Sequence, residues 1–213
     1  MSRYRGPRLR ITRRLGDLPG LINTAKSAGK TTLPGQHGGP GSRPPKSSQY
    51  GIRLKEKQKL RFNYGVNENQ LIRYVKKARN MKGSTGELVL QLLEMRLDSI
   101  VFRSGLAPTL RAARQLVSHG HISIESGRFR NANSVSPQFA LVNIPSYQCK
   151  PGDQIRLVEP NKNKGSDSRT SLPAHLQFDM NSKAFQVKQV IPRSEVSCAV
   201  NELLIIEYYS RKV

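Results

Sequence analysis

Tryptophan is absent from the 213 residues, aromatics make up 6% of them, and hydrophobic residues no more than 36%. A core of that composition is modest for a chain with room for one large or two small domains. Cysteine occurs twice, at Cys149 and Cys198, far apart and in no CxxC spacing. That pattern reads as two reduced, partly buried thiols and excludes both a disulfide framework and a cysteine zinc site. No apolar run approaches the length of a membrane span. Acids are scarce: 14 Asp and Glu stand against 36 Lys and Arg, a net charge of +22 with a pI near 10.7. Self-repulsion on that scale is relieved when a polyanion neutralises it, so nucleic acid is the expected partner and binding should depend strongly on salt.

Catalytic patterns are missing as well. GxSxG, HExxH and HxE…PCxxC do not occur. Gly29-Lys30-Thr31 resembles the end of a phosphate-binding loop, but Thr24 stands where the first glycine must be and no strand precedes it. His119 and His121 lie two apart across a helix stop, with no Cys or carboxylate at ligand spacing, which suits a phosphate contact or a cap better than a metal. Binding is favoured over chemistry, and no cofactor is expected.

What is present centres on TLRAARQLVSHGHISI, residues 109–124. Thr109 can cap a helix running from Leu110 to about His119, and Gly120 suits its left-handed stop. Leu110, Ala112, Ala113, Leu116 and Val117 share one arc; Arg111, Arg114, Gln115, Ser118 and His119 fill the other. Beyond the stop, Ile122 and Ile124 alternate with His121, Ser123 and Glu125 as in a half-buried strand. A basic helix turned sharply into a strand presents a cationic edge suited to a phosphate backbone.

Residues 1–61 hold fifteen of the Lys and Arg against Asp17 and Glu56 alone, +13 of the total charge. PGQHGGPGSRPP, residues 34–45, supports neither helix nor strand and is expected to order only when bound. Helices are expected from about Ser48 to Gly65, from Asn67 with Gln70 completing a capping box, from near Thr85 with Leu88, Val89, Leu92 and Leu93 inward, and over Ser99–Arg103 behind an Asp98 cap. Glu87, Glu94 and Arg96 read as surface or interdomain pairs. Ser126–Ala140 reads as a loop, followed by strands at Leu141, Val142 and Ile144, at Ile155 and Leu157, at Leu176 and Phe178, and at Phe185, Val187 and Gln189. For NELLIIEYYSR, residues 201–211, β-prone side chains and an Asn201 cap are evenly opposed.

SRYRGPRLR and RRLG near the start, PGQHG at 34–38, LKEKQKLRFNYGVNENQ at 54–70, ARQLVSHGHI at 113–122, VNIPSY at 142–147, KPGD at 150–153 and the closing NELLIIEYYSR resemble the small-subunit ribosomal protein 4 family over nearly the whole chain. The resemblance implies an α+β fold. An extended basic arm (1–44) leads to an all-helical domain (45–93) completed by a C-terminal helix (191–213). A mixed module (94–190) of two helices on a small antiparallel sheet, with a second small β region, is inserted between them. It implies a primary binder of small-subunit ribosomal RNA at a junction in the 5′ domain, nucleating assembly of the subunit body. Small-subunit proteins 3 and 5 would be neighbours, messenger RNA would enter the ribosome close by, and decoding accuracy would be affected; no membrane is involved. Relatives with a zinc-binding cysteine cluster in the arm are not matched here, so no metal is expected. Ser126–Ala140 replaces a short turn usual in the family.

The Arg-rich N-terminus has the composition of a transit peptide, but SRYRGPR belongs to the mature family pattern and is not expected to be removed. SRYRGPR and NELLIIEYYSR look most like plastid-encoded members, which points to a chloroplast ribosome, with the bacterial cytoplasm as the second choice. The RNA-binding residues expected are Arg3, Arg5, Arg8, Arg10, Arg13, Arg14, Arg43, Lys55, Lys57, Lys59, Arg61, Arg111, Arg114, Gln115, His119, His121 and Lys150. The competing readings are an RNA-modifying enzyme built on the same module, for which residues 160–213 are too few to form a catalytic domain, and a free RNA chaperone or regulator.

Overall fold

A computed structural model of the chain describes residues 4–22, 32–39, 46–126, 139–158, 172–180 and 182–210. It divides into two compact units, Met1–Leu90 with Ser197–Val213, and Gln91–Val196.

The first unit is helical. Helix α1 (Arg8–Leu15) lies within the segment expected to be extended. Thr12 and Leu15 are buried from it, and Leu15, Leu18, Leu21 and Ile22 gather into a small core with Ile11 and Phe62. The described part of the arm therefore belongs with the helices. A short 3-10 turn over Gln36–Gly38 is the described structure of the Pro/Gly segment; residues 40–45 lie outside the described residues.

Helix α2 (Gln49–Asn63) starts at Ser48, whose side chain accepts from the Gly51 amide at 3.1 Å. At its far end the Asn63 side chain accepts from the Gly20 amide at 2.9 Å, fixing the chain that follows α1. Helix α3 (Glu68–Arg79) opens with the capping box at Asn67 and Gln70 and buries Leu71, Val75 and Ala78. Helix α4 (Thr85–Glu94) places Val89, Leu90 and Leu93 inward.

The closing segment is a helix, α7 (Glu202–Ser210), which resolves the local tie. Tertiary packing decides it: Ile205, Tyr208 and Tyr209 are buried, and Tyr50 of α2 stacks on Tyr208 at 5.9 Å. Asn201 accepts from the Leu203 amide at 3.1 Å as the expected cap. Tyr209 donates to Glu68 at 2.8 Å, and Lys57 reaches the same carboxylate at 2.9 Å. Burial alone would push the Glu68 carboxyl up. The hydrogen bonds from Lys57 and Tyr209, with the charges of Lys57 and Arg61, outweigh it and hold the group below the usual carboxylate range. The Tyr209 phenol is pushed up, by burial first and by Glu68 second.

In the second unit, α5 (Leu97–Arg103) and α6 (Leu110–Ser118) pack together and contribute to one core with the sheet. The strands are β1 (Ile122–Glu125), β2 (Phe139–Leu141), β3 (Gln154–Leu157), β4 (Leu176–Asp179) and β5 (Ala184–Val187). They form one antiparallel sheet in the order β2-β1-β3-β5-β4. The second β region is thus not separate, because β5 pairs with β3 through Gln154–Gln186 and Ile155–Phe185 and so extends the sheet. Strand β2 begins at Phe139, inside the stretch read as loop, while Val142 and Ile144 lie beyond its end. It pairs with β1 antiparallel, Ser123 opposite Leu141 and Glu125 opposite Phe139; residues 127–138 lie outside the described residues. Ile122, Ile124, Ile155, Leu176 and Val187 are buried with Leu97, Ile100, Ala113 and Val117 of the helices.

Candidate nucleic-acid interface

Helix α6 begins where Thr109 accepts from the Ala112 amide at 3.3 Å. Leu110, Ala113 and Val117 are buried, so the arc carrying Arg111, Arg114, Gln115, Ser118 and His119 turns away from the core. The chain then reverses at Gly120, whose φ of +75° is a conformation that side chains rarely adopt. That turn leads directly into β1 and leaves Gln115 and His119 exposed and His121 half-buried, with the two imidazole centroids 6.2 Å apart. Lys150 is exposed in the turn before β3, where its amide donates to Asp153 at 2.8 Å. Arg111 is half-buried.

Arg114 is not a loose surface cation. Its Nε and Nη2 donate to Oδ2 of Asp98 at 3.0 and 2.6 Å. Asp98 is fully buried and is also held in a fork by Arg96, at 2.9 and 2.8 Å, and by the Ser99 amide at 3.0 Å. Arg96 and Glu94, expected in surface or interdomain pairs, are paired but each only 1% exposed, Glu94 with Arg103. Burying these charges is tolerable because every carboxylate is met by a guanidinium.

In the helical unit, Arg5, Arg8, Arg10 and Arg14 are exposed on and just before α1, and Lys55 is exposed on α2. Four expected contacts are differently placed. Arg13 donates to the Thr32 carbonyl at 2.8 Å and to the Thr32 hydroxyl at 3.1 Å. Lys57 is 4% exposed, bonded to Glu68 and set 5.0 Å above the Tyr208 ring. Lys59 pairs with Glu56 at 2.6 Å, and Arg61 lies 5.3 Å from the Phe62 ring centroid. Arg3 and Arg43 lie outside the described residues. Sequence reasoning passed over other exposed cations: Arg73, Lys76 and Lys77 on α3, and Arg156 on β3, stacked 4.3 Å over Phe139. The signal for the first three was available, since they recur opposite a clear apolar stripe.

Among the described carboxylates Glu94, Asp98 and Asp153 are buried. Glu56, Glu68, Glu94, Asp98, Glu195 and Glu207 each pair with a basic side chain, while Asp153 and Asp179 accept from Lys150 N and Ser182 Oγ. Each pair takes up one charge of either sign, so the excess positive charge rests on the Lys and Arg side chains left outside these pairs. Among the described residues no group of three or more His, Cys, Asp or Glu side chains is placed to hold a metal ion.

Residues 3–94 match the model of the ribosomal protein S4/S9 N-terminal domain, and residues 95–128 match that of the S4 domain. The small ribosomal subunit protein uS4 of Nostoc punctiforme is 55% identical over the full length of both chains. The chain belongs to the uS4 family. The small ribosomal subunit protein uS4c of Oltmannsiellopsis viridis is 53% identical over 99% of this chain and all of its own length, and that of Emiliania huxleyi is 50% identical over both whole chains. The uS4 relatives include cyanobacterial and plastid members at nearly the same identity, so the likeness is to both groups and not specially to the plastid one.

Proposed function

We propose that this uS4-family chain is a primary binder of small-subunit ribosomal RNA. It grips a helical junction in the 5′ domain and nucleates assembly of the subunit body. The role is structural, with no bond made or broken, as a component of the small ribosomal subunit. The carrying observation is the pairing of carboxylates inside each unit, which leaves Arg5, Arg8, Arg10 and Arg14 on one unit and Gln115, His119, His121 and Lys150 on the other turned outward. Phosphate oxygens need only such donors, and contacts of this kind fix a protein's register on a nucleic acid without reading its sequence. Arg3 and Arg43 extend the first set along the chain. Proteins 3 and 5 of the small subunit, and messenger RNA where it enters, are the neighbours that the family resemblance implies, with an effect on decoding accuracy. The N-terminal SRYRGPR and C-terminal NELLIIEYYSR support a chloroplast ribosome, and a bacterial cytoplasmic one is the alternative that fractionation of the source cell distinguishes.

The test is filter binding of the purified chain to a 5′-domain transcript across a salt series. A preference over an unrelated transcript of equal length is expected. For roughly six to ten phosphate contacts, affinity falls by about three to five orders of magnitude between ~50 and ~200 mM salt. Equal affinity for the two transcripts would refute the reading.

A further inference from the structure

We propose that the outer face of α3 is an additional phosphate-binding surface that engages the backbone of structured RNA. The proposal rests on the RNA-binding reading and adds a contact to it. Leu71, Val75 and Ala78 are buried on one side of this helix. Arg73, Lys76, Lys77 and Asn80 are exposed, and at helical spacing they fall within roughly a 100° arc opposite the buried stripe. Arg73 and Lys77 stand about 6 Å apart along the axis, and long flexible stems let both reach neighbouring phosphates.

These cations differ from three on α2. Arg53, Lys57 and Lys59 each meet a carboxylate, from Glu207, Glu68 and Glu56. Among the described residues, none of Arg73, Lys76, Lys77 and Lys82 has an ion pair. The same arc continues one turn back to Asn69, which is exposed and uncharged, so no acid shares the face. Attraction to the C-terminal end of the helix dipole accounts for Lys76 and Lys77 in the last turn. It does not account for Arg73 in mid-helix, where a like charge at Lys77 repels it. An external anion removes that repulsion.

The chemistry of the stripe favours RNA over an acidic protein. Protein interfaces are built round an apolar or aromatic centre and are depleted in lysine. This arc carries cations and amides, with no apolar side chain at its middle.

The experiment uses the full chain carrying Arg73→Gln, Lys76→Gln and Lys77→Gln together, since glutamine is a good helix former at exposed positions. A charge-conserving variant, Arg73→Lys with Lys76→Arg and Lys77→Arg, serves as the rescue. Binding to a 5′-domain transcript is measured from ~50 to ~200 mM salt. Losing two or three phosphate contacts makes the dependence shallower, so that the affinity lost across this range shrinks by roughly ten- to fortyfold. The charge-conserving variant keeps the parent slope. An unchanged slope in the glutamine variant overturns the proposal. So does an unchanged slope with loss of the variant from subunits reconstituted with the other small-subunit proteins, which would assign the face to a protein. If the unsubstituted chain shows no preference for the transcript, the underlying RNA-binding reading fails first and is seen to do so separately.

Discussion

Asp98 accepts hydrogen bonds from Arg96, Arg114 and the Ser99 amide while fully shielded from solvent. A buried carboxylate so placed answers the charge of two guanidinium groups, those of Arg96 and Arg114. Asp98→Asn keeps the shape and removes the charge. We expect it to destabilise the second unit by about 3–5 kcal/mol, the usual cost of breaking a buried pair from one side. Urea unfolding should show this, and a loss below about 1 kcal/mol would mean that the three groups do not act together. The same residue scale explains where sequence reasoning fails. Lys57 and Arg114 read as solvent-facing donors because their acids, Glu68 and Asp98, lie 11 and 16 positions away. Those separations match no neighbour spacing within one helix. The burial of Glu94, whose partner Arg103 lies nine positions away, is hidden for the same reason. Gln115 and His119, lacking such partners in the sequence, are exposed as their positions on the amphipathic helix indicate.

At the scale of elements, caps and stripes are readable because both depend on residues within about one helical turn. Thr109 and the Asn67–Gln70 box act where the pattern puts them, whereas Asp98, expected as a cap, lies inside α5, which starts at Leu97. Helix α7 is not readable from propensity, and the family resemblance alone favours its form. Its packing depends on a close approach to α4, where a Cβ added to Gly86 would stand 2.7 Å from the Cβ of Glu202. Gly→Ala inside a helix ordinarily stabilises by up to about 1 kcal/mol. Here overpacking, at about 1–3 kcal/mol, should win. Gly86→Ala is therefore expected to lower the melting temperature of the helical unit, and a rise would show that α7 can move away without loss. The first helix is the other surprise. Closely spaced arginines suggest an arm, yet Ile11, Leu15, Leu18 and Leu21 supply enough apolar surface to bind the segment to Phe62.

For the whole molecule, +22 is spread over two units whose acids are largely occupied internally. Two effects of salt should then have opposite signs. Screening weakens phosphate binding by removing the gain from counterion release. It also relieves repulsion among exposed cations, while the buried pairs are screened much less. The melting temperature of the RNA-free chain should consequently rise between ~10 and ~300 mM salt, a range over which RNA affinity falls. A flat or falling melting temperature, followed by circular dichroism, would show that surface repulsion is not what limits the free protein. The carboxylates of Asp17 and Glu87 are exposed and too few to change that balance.

Composition alone determined that this chain meets a polyanion, and short-range patterning determined its helix caps, apolar stripes and most of its strands, because those properties need only a residue and its near neighbours. The tertiary structure decided which cations remain available. It set Lys57 on Glu68 and Arg114 on Asp98, folded α7 against α2, and joined β5 to β3 in one sheet. Each of those outcomes brings together residues distant in sequence. Burial selects among the possible partners, since a charge left unpaired in the interior costs several kcal/mol and the same charge at the surface costs almost nothing.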